Sequence, residues 1–304
     1  MNVLPQMTMF HELHACLDRF RVELLARGKD LAGTRMAYYM KTLEQMSEVW
    51  GPGIEKERLR EFALVLYESS ELAWIFKHVW GVCDDDTKSL FFEALMGPNH
   101  TADEKPASVK PRSTVTELAV AARLNMAGMT TRGVVEPDLL FDLGGTKIFV
   151  ACKRLSSEKQ IRRNIRDALE QIQRASLIPR RNAKRGIVAL DISKLSNPDS
   201  WIVHAPSVEA LSAMAEKVKA DFLSMYVNPL HAKPTHLYCL GYLIKFSFVG
   251  QFPDGSFITA STWAFHSFTM GGTINHNLAM ELRRKFDASS SFDWSDPSPL
   301  VIGG

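Results

Sequence analysis

Apolar residues recur at helical spacing through the first hundred positions and at strand spacing through much of the remaining chain. Leu13, Leu17, Phe20, Leu24 and Leu25 form a stripe with the period of an amphipathic helix. Leu59, Phe62, Ala63, Leu66 and Tyr67, then Leu72, Ile75, Phe76 and Val79, continue helical faces beyond a break at Gly51-Pro52-Gly53. Asp84-Asp85-Asp86-Thr87 is a helix-start signal ahead of Leu90, Phe91 and Leu95. From Gly97 to Arg112 three prolines and little apolar content predict a linker or long loop. The chain thus divides into an all-α N-terminal region over 1–96, a connection over 97–112, and a second domain over 113–304.

The second domain opens with Thr114-Val115-Thr116-Glu117, which has capping-box spacing. Leu118, Ala119, Ala122 and Met126 lie on one helical face, and Gly128 is the expected stop. A hairpin from Val134 to Lys153 turns at Gly144-Gly145. Ser157 then opens a long basic helix with Ile161, Ile165, Ala168, Leu169 and Ile172 as its apolar stripe. The run from Gly186 to Ile192 reads as a buried strand. A helix over 207–227, β-rich runs over 236–249 and 256–268, and a helix near 274–286 complete the chain. The order α-β-β-α-β-α-β-β is that of a mixed α/β core, a sheet flanked by helices.

Composition narrows the functional classes. No window holds 18 uninterrupted apolar residues, and the N-terminus has no basic segment leading an apolar one. Neither a membrane span nor a secretory signal is expected, and no membrane partner. Four scattered cysteines without a CxxC pair suit reduced thiols in a cytoplasmic protein. The net charge of +2 hides a strong asymmetry: residues 146–185 carry 12 Lys and Arg against 3 Asp and Glu. Such a block reads either as a solvated helix face or as a polyanion-binding surface.

The hairpin carries the candidate chemistry. Side chains alternate along a strand, so Lys147, Phe149, Ala151 and Lys153 share one face, while Ile148, Val150 and Cys152 share the other and read as core. Asp138, behind Pro137 on the partner strand, is placed to meet Lys153, and Glu117 on the preceding helix is placed to add a second carboxylate. Pro137-Asp138 with Ala151-Cys152-Lys153 resembles the PD-(D/E)XK nuclease superfamily, over about Thr114 to Ile192. The resemblance implies a restriction-endonuclease-like mixed β-sheet core and a Mg²⁺ (or Mn²⁺) dependent phosphodiesterase. It further implies that Asp138 is the main metal ligand, that Glu117 and the Cys152 carbonyl complete the shell, and that Lys153 handles the attacking water. Gln171 matches a glutamine some members carry in the helix after the hairpin. Arg154, Arg162, Arg163 and Arg166 are candidate phosphate contacts.

One position departs from the pattern. The family has Asp or Glu where this chain has Ala151, and a methyl group cannot coordinate a hard cation. Loss of a direct ligand is expected to cost at least roughly 100-fold in activity. Three explanations stand: a deliberate substitution that traps an inactive form, decay into a non-catalytic binder, or replacement by Glu136 or Asp142. The intact remainder of the motif favours the first. The expectation is a nuclease acting on DNA in preference to RNA, by analogy in bacterial restriction or anti-phage defence, with this copy inactivated. The alternative is a degenerate nuclease fold serving as a nucleic-acid-binding or scaffold subunit. The N-terminal helices would contact a partner protein or a second copy.

Overall fold

The computed structural model describes residues 3–49, 54–99, 110–134, 136–177, 183–198, 202–228, 238–267 and 273–288. Four helices come first, α1 (Val3–Ala26), α2 (Arg35–Val49), α3 (Lys56–Val79) and α4 (Asp85–Leu95). Leu17, Phe20 and Leu24 of α1 are buried as the stripe requires, but Leu25 is 45% exposed, because 100° of helical rotation carries it off that face. Asp84 caps α4 by accepting the Thr87 N–H at 2.9 Å. The Gly51-Pro52-Gly53 break, and residues 100–109 of the expected connection, lie outside the described residues.

The next helix corrects two expectations. α5 spans Lys110–Met126, so it starts inside the stretch assigned to the connection. Pro111 sits in its first turn, where a missing N–H leaves no hydrogen bond unmade. Thr114 is therefore interior, and its Oγ1 donates to the Lys110 carbonyl at 3.1 Å rather than capping a helix end. No capping box forms, and Glu117 is released for another role. The helix does stop before Gly128, whose φ of +73° is the left-handed conformation that glycine supplies at a helix end.

Among the described residues seven strands form one mixed sheet: β1 (Thr131–Gly133), β2 (Leu139–Leu143), β3 (Thr146–Arg154), β4 (Ala183–Asp191), β5 (Val203–His204), β6 (Cys239–Gln251) and β7 (Phe257–Ser267). The order is β1-β2-β3-β4-β6-β5, with β7 antiparallel along β6. β1, β2 and β3 are an antiparallel meander, and β3, β4 and β6 run parallel. The helices α6 (Ile161–Leu177), α7 (Ser193–Ser196), α8 (Val208–Phe222) and α9 (Ile274–Ala288), with a 3-10 turn at Glu158–Gln160 and a π-helical turn at Leu223–Val227, complete the described elements. β1, β5 and α7 were not anticipated, being too short to show a period.

Helices cover both faces of the sheet. Ile148, Val150 and Cys152 join the cluster built by α1–α5 and α9, which extends from Phe10 to Phe286. The N-terminal helices and the sheet thus share one core. On the opposite face Ala151, Val188 and Leu190 pack with Ile161, Ile165 and Ile172 of α6 and Leu211 of α8. The face shared by Lys147, Phe149, Ala151 and Lys153 is therefore core as well at Phe149 and Ala151. A central strand lying between parallel and antiparallel neighbours under two helical layers is buried on both sides. Only the strand's ends, at Thr146–Lys147 and Lys153–Arg154, leave that burial. No helix among the described residues is long and apolar enough to cross a membrane.

Candidate active site

The site forms where β2 and β3 part. Their last paired residues are Leu139 and Val150, so Asp138 and Cys152 lie just beyond the ladder. Asp138 Oδ2 accepts the Cys152 backbone N–H at 2.6 Å, extending the ladder with a side chain. In an extended strand the N–H and C=O of one residue leave by the same edge. The Cys152 carbonyl therefore faces the Asp138 side too. Burial pushes the Asp138 carboxyl above its ordinary range, while the Cys152 N–H and the Lys153 ammonium pull against that shift.

Two further groups approach from opposite faces. Lys153 emerges on the α6 face, where its Nζ donates to Gln171 Oε1 at 2.8 Å. Glu117 comes from α5, which packs on the other face of β3. Burial, then the negative charge of Asp138 and of Glu93, pushes the Glu117 carboxyl up to about 8, with Lys153 and Lys110 opposing. At neutral pH Glu117 therefore keeps its proton. The Cys152 thiol is also held well above its usual range, by burial first and then by Asp138 and Glu117. It stays a neutral thiol.

The structure therefore brings Asp138, Glu117, Lys153, Gln171 and the Cys152 backbone together, with Ala151 across the strands from Asp138. Ala151 is fully buried in the α6-side apolar cluster, on the face it shares with Lys153. Glu136 is near enough to raise the Asp138 carboxyl, but its Oε1 is 2.5 Å from Arg174 Nη2. Asp142 pairs with Lys147 at the far end of the hairpin, about 13 Å along the strand from Asp138. It does not replace the missing acid. Arg162, Arg163 and Arg166 lie on the exposed face of α6, Arg163 within 3.7 Å of Asp167. Arg154 departs from this group: strand alternation turns it to the α3–α5 side of the sheet, beside Asp191.

Glu93 and Lys110 were missed. Lys110 Nζ lies 2.5 Å from Glu93 Oε1, and both act on the Glu117 carboxyl. No local signal marks them, since packing of α4 against α5 creates the proximity.

Among the described residues, no three His, Cys, Asp or Glu side chains are grouped to hold a metal ion unaided. Mg²⁺ makes a lesser demand. It is held by one or two carboxylates, keeps several waters, and takes oxygens from a substrate phosphate. Asp138, Glu117 and the Cys152 carbonyl fit that requirement, provided Glu117 gives up its proton on binding. No protein-family model, no curated protein and no solved structure matches the chain.

Proposed function

We propose that the chain is a metal-dependent nuclease of the PD-(D/E)XK type whose centre lacks one carboxylate, so that it binds a nucleic-acid phosphodiester and cleaves it poorly or not at all. The observation that carries this reading is the convergence of Asp138, Glu117 and Lys153 at one end of β3. The order of elements adds support: helix α5, the β2–β3 hairpin, helix α6, and β4 parallel to β3.

When bound, Mg²⁺ would neutralise charge on the scissile phosphate and acidify a water. Asp138, fixed by the Cys152 N–H, and Glu117 would hold it. Lys153, steered by Gln171, would orient the attacking water and face the developing negative charge. The exposed arginines of α6 would position the backbone of DNA, in preference to RNA, without reading sequence. A cytoplasmic role in restriction or anti-phage defence belongs to the same proposal, by analogy alone.

A non-catalytic nucleic-acid binder is the second reading. It is favoured by the complete burial of Ala151 among apolar side chains. Ala151→Glu separates the two. Mg²⁺-dependent DNA cleavage by this variant, abolished by adding Lys153→Ala, supports the nuclease. Salt-sensitive DNA binding without any cleavage establishes the binder.

A further inference from the structure

On the α3-facing side of the sheet, charges stand in a row. Arg154, Asp191 and Lys245 lie opposite one another on β3, β4 and β6. Lys245 Nζ is 3.0 Å from Asp191 Oδ2 and also binds Glu71 of α3. Thr116 Oγ1 donates to the same Asp191 oxygen at 3.3 Å. Nearby, Glu68 is flanked by Arg112 Nη1 at 2.7 Å and Arg35 Nη1 at 3.2 Å. Burial alone would push the Glu68 carboxyl up, but Arg112 and Arg35 overcome it and hold it at about 2. Arg112 and Arg35 thus set a positive field at Glu68 itself.

A cavity of about 70 Å³ opens among these groups, with the partly exposed Lys194 and Asn197 also on its wall. Glu117, Asp138 and Lys153 do not border it. Consecutive residues diverge: α5 turns Thr116 about 100° from Glu117, and β3 sends Arg154 and Lys153 to opposite faces. The cavity lies at the carboxyl ends of β3 and β4, where open α/β sheets take their ligands.

Its chemistry selects the ligand. Each of the three wall carboxylates has a cation on it, Glu68 through two arginines and Glu71 and Asp191 through Lys245. With Lys245 counted, five cationic side chains among the described residues surround the cavity against those three acids. Arg35 Nε is buried with no hydrogen-bond partner among the described residues. Such a space favours a compact oxyanion over an apolar or cationic ligand. Its volume holds about five waters. That suits a phosphate group and falls far below the roughly 300 Å³ typical of a pocket for a whole small molecule.

We propose that this cavity is a phosphomonoester pocket, which, on the nuclease reading above, takes the terminal phosphate of a nucleic-acid strand lying across Lys153. The test uses the full chain, inorganic phosphate, and DNA duplexes ending in a 5′-phosphate, a 3′-phosphate or hydroxyls. Phosphate is expected to raise the unfolding midpoint above chloride at equal ionic strength. Lys194→Ala, at a partly exposed position, and Arg154→Gln should remove most of that shift. One phosphorylated duplex should bind about tenfold tighter than the hydroxyl duplex, and Lys153→Ala should keep the preference. Phosphate acting no better than chloride, with all ends bound alike, overturns the pocket. Phosphate stabilisation without end preference refutes the strand end and assigns a small phosphorylated ligand. If Ala151→Glu never cuts DNA while phosphate still stabilises, the nuclease reading fails and the pocket stands.

Discussion

Replacing Ala151 by Glu should make folding depend on divalent cations. Ala151 is fully buried beside Ile161 and Ile165, so extra atoms there cost about 1–3 kcal/mol through overpacking. The pairing of Leu139 with Val150 sets Asp138 across from residue 151, with side chains on directly opposite residues about 5 Å apart. Two carboxylates at about 6 Å repel by ~3 kcal/mol at the effective dielectric of a protein site. The variant should therefore be about 4–6 kcal/mol less stable than its parent in a chelator, or less if the new carboxyl takes a proton. Binding of Mg²⁺ to the completed set should restore about 2.7 kcal/mol at a hundredfold excess over its Kd. Urea unfolding at neutral pH, in EDTA and in Mg²⁺, measures both quantities. A stability gap unchanged by Mg²⁺ would refute the metal site. A variant as stable as its parent in EDTA would show that residue 151 does not face Asp138.

The geometry sets three other outcomes. Lys245→Met leaves Glu71 and Asp191 buried without their shared cation and should cost about 3–5 kcal/mol in denaturant unfolding at neutral pH. Burial opposes but Lys245 dominates in holding the Asp191 carboxyl below its ordinary range. The stability it contributes is present above the unfolded carboxyl's value near 4 and is lost as pH falls through the lower folded value; acid unfolding should begin at higher pH in the variant. Gly186→Ala would set a Cβ 2.7 Å from Ile172 Cγ2 and 2.9 Å from the Phe149 carbonyl oxygen; pushing α6 off the sheet should cost about 1–3 kcal/mol, read as a lower urea midpoint. If Arg162, Arg163 and Arg166 each neutralise one phosphate, each alanine replacement should lower the salt slope of DNA binding by about 0.9; an unchanged slope would place the DNA elsewhere.

The sequence by itself determined the elements that repeat a local pattern. The α6 stripe, the Gly144-Gly145 turn, the β2–β3 hairpin and the long strands β4, β6 and β7 all come from spacing that neighbouring residues express. It also marked Asp138 and Lys153, through the resemblance of Pro137-Asp138 and Ala151-Cys152-Lys153 to a nuclease motif. Tertiary structure decided the rest. Glu117 reads as a helix cap along the chain, and only the helix start at Lys110 and the packing of α5 on β3 turn it toward Asp138. Burial of both faces of β3 depends on α6 and α5 closing over it from opposite sides. The row of Arg154, Asp191 and Lys245 joins residues far apart along the chain through strand register. Periodicity is a property of adjacent residues, whereas a site is set by register and packing between distant ones.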